Sequence, residues 1–518
     1  MLGYVKDMIL ARYFGATGIS DVFFVAFRIP NLLRELFAEG SMSSAFIPVL
    51  TEYQTMQGRE EANRLVRSTF LFILIVVGAV CLAGMAFAPV IVSVIAPGFG
   101  DNPGKFTATV LLTRIMFPFL LLISLAALVM GALNTRGAFF IPALAPAMLN
   151  VAIIGCVVGF SQLFAHPIMA VAIGVTVGGL VQFLFQLPAF VRKGFSFGLR
   201  AKDSASCEND GGRPSRWHPG LKRIGLLLIP STAAMAVAQI NIFVSTILGT
   251  LLPEGSVTFL YYAMRLIQFP IGVFGVAVGM AVLPALSEHA VRGDRAKLRE
   301  DFSFALRLLF FITVPAMAGL IALRVPIVNA LFQRGVFDVT ATTGTAEALL
   351  YYSLGIWAIV GVRTVTATFY SMQDTRTPVK IAVCAMIVNA VASLLLMSPL
   401  GHSGLALANS IAASANFVVL FYFLRKRLGG VGTRAIMRSF ATTAAASVIM
   451  GLAGWYLLRG GPWTSDGQAV LKAAYLSGTI FACAGLYLSV TLLCRSEEAG
   501  FILATLRRRL GGSDFTRG

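Results

Sequence analysis

Charge is what this 518-residue chain has least of. Asp, Glu, Lys and Arg together make up 12% of it against 57% hydrophobic residues, and the mean hydropathy is +0.82. A soluble domain carries about twice that share of charge, so a water-soluble globular protein is excluded. Cysteine is sparse as well. The six, at 81, 156, 207, 384, 483 and 494, include no CxxC pair, and five lie in or beside apolar runs. They read as small packing residues, not as a disulfide or metal framework. The four histidines (166, 218, 289 and 402) stand too far apart in sequence for the usual zinc-ligand spacing. Carboxylates are outnumbered 23 to 41 by Lys and Arg, and loop acids such as Asp101, Asp338 and Asp374 stand alone. The clustered ligands of a Mg²⁺-dependent enzyme are therefore missing. No basic run is interleaved with aromatics, so the net charge of +18 does not describe a nucleic-acid groove. A cleavable signal peptide is absent too: Met1–Leu10 is short and contains Lys6 and Asp7.

What the chain does have is apolar runs of about 20 residues or more, the length of a membrane-spanning helix. We count fourteen, at roughly 1–13 (a fragment), 21–50, 68–96, 106–133, 138–161, 166–190, 224–252, 257–287, 303–331, 345–370, 377–399, 402–424, 435–458 and 468–494. The fold class is an all-α polytopic membrane protein. Loops after even-numbered spans are rich in Arg and Lys, for example Arg59, Arg64 and Arg67, then Arg292, Arg295, Lys297 and Arg299. Loops after odd-numbered spans hold only Lys105, Arg334 and Arg459. The asymmetry places the even loops and both termini in the cytoplasm.

The polar, Gly- and Ser-containing loop 192–223 reads as a linker between two halves. We expect an N-lobe of six spans at 1–191, a C-lobe of six at 224–427, and two further spans with a basic cytoplasmic tail at 428–518. The halves resemble each other. Span 2, "FVAFRIPNLLRELFAEGSMSSAFIPVLTEY", and span 8, "YYAMRLIQFPIGVFGVAVGMAVLPALSEH", share an aromatic-x-A-x-R opening and a P-x-L-[TS]-E close. "NTRGAFFIPALAPAMLN" and "QDTRTPVKIAVCAMIVN" form a second pair in the same order. Six spans per repeat preserve orientation, so the repeat is parallel, about an axis along the membrane normal.

Span 2 carries charges where charge is expensive. On a helical wheel Asp21, Arg28, Glu35 and Glu39 fall within about 40° of one another, and Asn31 and Arg34 widen the arc to about 140°. Facing lipid, each charge costs on the order of 3 kcal/mol. The stripe faces either a wet cavity or other charged side chains. An internal lattice, Arg28–Glu35 and Arg34–Glu39, accounts for Arg28 and Glu35 as well as a cavity does; Arg34 leans off the acidic edge and reads as cavity-facing. Span 8 offers Arg265 with Gln268 one turn on and no acid before Glu288. Lys6 adds a cation from the first span. Cations from three helices in two lobes point to an anion site, and arginine suits phosphate. Arg114 and Arg363 read as structural, Asp374 as a cap, and Ser41–Ser44 and Pro48 as a place where span 2 bends.

The stretch "ARYFGATGISDVFFVAFRIPNLLRELFAEGSMSSAFIPVL" closely resembles the opening of the MurJ (MviN) family of lipid II flippases, in the MOP exporter superfamily. "APGF", "GALNTRGAFFIPALAPAMLN", "YYAMRLIQFPIGVFGVAVGMAVLPALS" and "FYSMQDTRTPVKIAV" match in order, so the likeness covers essentially the whole chain. The resemblance implies two six-helix lobes, a cationic central cavity and a hydrophobic groove made with spans 13 and 14 for a polyprenyl tail. It implies a transporter, not an enzyme, in the bacterial cytoplasmic membrane, turning lipid II to the outer leaflet by alternating access. Membrane lipids and the cell-wall synthesis machinery are the further partners it brings to mind.

Carried over residue by residue, the family's cavity cations fall on Arg34, Arg265 and Lys6, and its span 2 acids on Asp21 and Glu39. Lys6 lacks the bidentate fork, Gln268 stands where some relatives have Glu, and Glu35 where some are basic. The family's first helix begins upstream of Met1. No cofactor is expected. Membrane potential is the expected bias, and span 7 has no acid before Glu254 to support sodium coupling. The rivals are another lipid-oligosaccharide flippase, a drug antiporter (which needs an acidic cavity), a polyprenyl-phosphate enzyme and a scaffold of cell-wall assembly.

Overall fold

A computed structural model describes residues 2–35, 41–197, 218–275, 286, 288–289, 292–463 and 467–511. Glu39, Cys207 and most of the expected linker lie outside the described residues. No strand occurs among the described residues, and the chain divides into two compact units, Met1–Glu254 and Gly255–Gly518.

The first unit contains α1 (Leu2–Phe14), α2 (Gly18–Arg34), α3 (Ser41–Met56), α4 (Arg59–Ala86), α5 (Ala88–Ile95), α6 (Pro103–Thr135), α7 (Phe140–Phe160), α8 (Ile168–Arg192) and α9 (Pro219–Thr250). Helix α6 is its axis: most of its apolar stretch is buried, and α2, α3, α4 and α8 pack around it. In such a core every hydroxyl needs an acceptor, and Thr109 and Ser124 both donate to the carbonyl one turn back, each at 2.8 Å. Helix α9, counted with the second lobe from sequence, packs instead on α3, α4 and α5. At its start Arg223 pairs with Glu52 at 2.7 Å and His218 hydrogen-bonds Glu61 at 2.9 Å, and just past its end Glu254 pairs with Lys105 of α6. By its contacts the chain divides just after α9.

The second unit opens with α10 (Ser256–Pro270), which runs into a π-turn at Ile271–Gly275. It continues with α11 (Arg295–Ala322), α12 (Arg324–Phe332), α13 (Val339–Ser353), α14 (Ile356–Ser371), α15 (Arg376–Leu400), α16 (His402–Leu428), α17 (Thr433–Leu458), α18 (Ala469–Leu493) and α19 (Glu497–Gly511). Aromatic rings fill its core: Phe310 lies 5.2 Å from Phe440 and 6.2 Å from Trp357. Tyr487 of α18 donates to the Phe311 carbonyl at 2.7 Å, which fastens the C-terminal hairpin to α11. The tail is a helix, held where Arg307 meets Glu497 at 2.7 Å and Glu498 at 3.2 Å.

The internal repeat extends well past the two motifs seen in sequence, at a near-constant offset of 236. Helices α1, α6 and α8 end at 14, 135 and 192; α9, α14 and α16 end at 250, 371 and 428. Asn102 caps α6 through the Lys105 N–H (3.2 Å), and Asp338 caps α13 through the Ala341 N–H (2.8 Å). Spans 3 and 9 break alike, at Phe87 and Leu323, each N–H still reaching the carbonyl four residues back. The units differ in their fourth spans. Helix α6 runs unbroken past Pro118, whereas its counterpart is bent by 41° between α13 and α14. There Gly355 lies against Ser410 so closely that a Cβ would sit 2.7 Å from the hydroxyl, and that hydroxyl donates to the Tyr351 carbonyl at 2.6 Å. Ser410 thus takes up a backbone acceptor released by the bend.

Nine described helices are long and apolar enough to cross a membrane, ten with the bent pair counted as one. Of the fourteen expected spans, the first, second, seventh and eighth fall short of that test because they form short helices or lie partly outside the described residues.

Candidate functional site

Helix α2 carries the site. A tight turn sets its start: Gly15 adopts φ +60°, and the hydroxyls of Thr17 and Ser20 donate to the Phe14 carbonyl at 3.0 and 3.1 Å. The turn holds Asp21, in the first turn of α2, buried. On α1, Lys6 pairs with Asp7 at 3.0 Å, and the Asp7 side chain is fully buried.

The far end of α2 gathers polar groups around one carboxylate. Asn31 donates to Glu35 Oε1 at 3.0 Å, and Arg34 approaches the same oxygen at 3.8 Å. Arg34 Nε also donates to Asn31 Oδ1 at 3.1 Å. Gln239 of α9 donates to the other oxygen, Glu35 Oε2. Two amides therefore satisfy Glu35, and Arg34 touches it only at the long limit of an ion pair, with a side chain that keeps 20% of its surface exposed. This is a different arrangement from the lattice considered in sequence. Glu35 serves Arg34, Asn31 and Gln239, and the Arg34–Glu39 pair lies outside the described residues. Arg28 is half-buried on the same helix.

Helix α2 is followed as far as Glu35 and α3 begins at Ser41; residues 36–40 lie outside the described residues. Ser41–Ser44 and Pro48, where the sequence predicts a bend, lie within α3. In the second unit α10 ends at Pro270, 236 residues after Arg34, and becomes the π-turn. Irregular backbone at membrane depth is tolerated where protein or a water-filled space satisfies it.

On α10, Arg265 is half-buried and donates to Gln268 Oε1 at 3.4 Å. The structure thus brings Arg34, Glu35 and Asn31 together in one unit, and Arg265 with Gln268 in the other. Arg114 is structural as expected, its Nε donating to the Met85 carbonyl at 3.1 Å. Arg363 is exposed on α14. Asp374 is a cap and more. It accepts the N–H groups of Arg376 and Thr377 at 3.1 Å and pairs with Arg427.

Gln239 escaped the sequence reading because span 7 was searched for acids alone. The signal was there: Gln239, with Asn241 two residues on, in "AMAVAQINIF", an apolar span that buries a Gln only against a polar partner.

A family profile described as "Lipid II flippase MurJ" matches residues 10–463. The lipid II flippase MurJ of Burkholderia cenocepacia is 35% identical over 98% of this chain and 96% of its own length. The probable lipid II flippase MurJ of Vibrio cholerae is also 35% identical, over 95% and 93%. A solved structure, "Lipid II flippase MurJ, inward closed conformation", superposes with a TM-score of 0.77 at 25% identity, covering 95% of this chain and 96% of that one. An inward-facing MATE transporter of the MOP superfamily shares the fold, with a TM-score of 0.69 at 15% identity over 83% and 94%. The profile and the two relatives reach almost from end to end, and the chain belongs to the MurJ family.

Proposed function

We propose that this protein is a transporter that turns lipid II from the inner to the outer leaflet of the bacterial cytoplasmic membrane, by alternating access, for cell-wall synthesis. The observation that carries the reading is near-full-length membership of the MurJ family combined with Arg34 beside Glu35 and Asn31 on the charged stripe of span 2. In this reading Arg34, with Lys6 and Arg28 on the same unit, and Arg265, with Gln268 on the other, act on the diphosphate of the head group. Asp21 and Glu35 set the field those cations work in, and Glu39 is assigned with them by resemblance. Both termini face the cytoplasm, which the Arg and Lys content of the even loops supports.

Arginine offers a planar fork that matches two phosphate oxygens, and its charge survives partial burial. Binding a diphosphate offsets the mutual repulsion of the cations and favours closure toward the cytoplasm. The membrane potential acts on each transported charge with about 2.3 kcal/mol per 100 mV, enough to bias the cycle without a bound cofactor. The test is an in-cell assay of lipid II accessibility at the outer leaflet in a flippase-depleted strain. The wild-type chain should restore it; Arg34→Ala and Arg265→Ala should not, at normal protein levels. Full restoration by both variants would remove the site assignment.

A further inference from the structure

The first unit holds a cavity of about 450 Å³ whose lining is entirely apolar. Ile29 and Leu33 of α2 form one wall, Ala83 and Phe87 of α4 and its break another, and Phe117 and Phe243 the floor. Gly84 makes the space: a Cβ there would collide with the Phe117 ring, so glycine lets α4 and α6 close behind the cavity. The mouth is open. Val80, Ala83 and Phe87 are exposed.

The cavity does not stand alone. Gln239 and Phe243 are one turn apart on α9, and Leu32, which also lines the cavity, is three residues from Glu35 on α2. Residues at these spacings share a helix face. The groove between α2 and α9 therefore passes, within one turn, from the Asn31–Arg34–Glu35–Gln239 cluster to a hydrocarbon-lined chamber. Only an amphiphile matches that sequence of surfaces: a polar head joined directly to an apolar chain. The chamber is within the usual size of a ligand pocket, roughly 300–1,000 Å³.

We propose that this cavity receives the head-proximal isoprenoid segment of the substrate's polyprenyl chain. The assignment rests on the flippase reading above. It is separate from the groove of spans 13 and 14 that resemblance implies, because every lining residue lies in the first unit. The cavity is at the end of α4 remote from Arg59, Arg64 and Arg67. With that basic end in the cytoplasm, the mouth opens toward the outer leaflet, so the cavity serves the chain as the head group leaves outward.

The test uses the full-length protein in phosphatidylglycerol–phosphatidylethanolamine nanodiscs. The probe is a geranylgeranyl diphosphate carrying a diazirine near the diphosphate, with a diazirine phosphatidylglycerol as its comparison. The prenyl diphosphate should label the peptides around Ala83–Phe87 and Phe243. Labelling should fall about tenfold in Ala83→Trp, which fills the mouth, and in Val80→Trp, which narrows it from the next turn. Outer-leaflet transport should slow in the same variants. Equal labelling by the phosphatidylglycerol probe, or undiminished labelling in whichever tryptophan variant folds, overturns the proposal. Transport lost in Arg34→Ala but normal in both tryptophan variants also overturns it, and leaves the flippase reading standing. Cavity labelling without any transport by the wild type supports the chain site and defeats the flippase reading.

Discussion

Gln239 of α9 donates a hydrogen bond to Glu35, at the C-terminal cap of α2. The contact fixes a carboxylate beside Arg34, whose guanidinium lies 3.8 Å from the nearer oxygen. A carboxylate already satisfied by two amides is a weak competitor for an incoming diphosphate. The arrangement presents a positive group tempered by a nearby negative one, which suits a ligand that must be released as well as bound.

That relationship makes Glu35→Gln informative. The substitution keeps the size and one acceptor oxygen but removes the charge that opposes an anion. We expect affinity for inorganic pyrophosphate to rise about fivefold, a screened charge effect of roughly 1 kcal/mol, and the gain to shrink as salt increases. Titration calorimetry of the purified protein at two ionic strengths measures both. A drop in affinity would show that Glu35 supports the ligand and does not repel it.

Arg34 should behave as a fork and not merely as a charge. Arg34→Ala should lower transport about a hundredfold or more, the loss of a charge-assisted bidentate contact worth roughly 3 kcal/mol. Arg34→Lys keeps the charge and should recover only part of that. Flipping rates in proteoliposomes, with thermal melting as a fold control, separate the three proteins. Equal rates for Lys and Arg would reduce the requirement to charge alone.

The sequence made the membrane class, the parallel repeat and the charged stripe of span 2 legible because each is a property of local composition or spacing. Lys6, Asp21, Arg28, Arg34 and Arg265 were all visible as charges at membrane depth. Their partners were less so. Glu35 had an equal claim from Arg28, and only the packing of α9 against the first unit shows that Gln239 reaches it. That packing itself was hidden, because the polar linker advertised a boundary while the ion pairs Arg223–Glu52 and Lys105–Glu254 join residues far apart in the chain. The bend at Gly355 was illegible for a related reason. Its cause is Ser410 on a neighbouring helix, whereas the proline-bearing counterpart, α6, stays continuous.

Gly355 and Ser410 offer a test of that account. Gly355→Ala places a methyl 2.7 Å from the Ser410 hydroxyl, closer than real contacts allow. The strain of overpacking is typically about 1–3 kcal/mol, so the melting temperature should fall. Ser410→Gly removes the hydroxyl and Cβ contacts, leaving the Cα at 2.9 Å, and also removes the hydrogen bond to Tyr351; alone it should destabilise by about 1 kcal/mol. The double variant should therefore be more stable than the sum of the single effects. Strict additivity would mean that the bend has another origin.

Asp374 gives a pH-dependent prediction outside the membrane spans. Burial pushes its carboxyl upward, but the N–H and hydroxyl of Thr377 and the guanidinium of Arg427 outweigh this and hold it below its ordinary value of 3.8. A carboxylate whose folded value is depressed stabilises the fold above its unfolded value and loses that contribution as the pH falls through the folded one. Asp374→Asn should therefore melt a few degrees below the wild type between pH 5 and pH 8, with a constant gap, because the wild-type group stays ionised throughout. Below pH 4 the gap should narrow, since acid then does to the wild type what the substitution has already done. Melting curves of the detergent-solubilised pair across this range decide the matter. A gap that persists undiminished at the acid end would mean that the cap acts through its geometry and not through its charge.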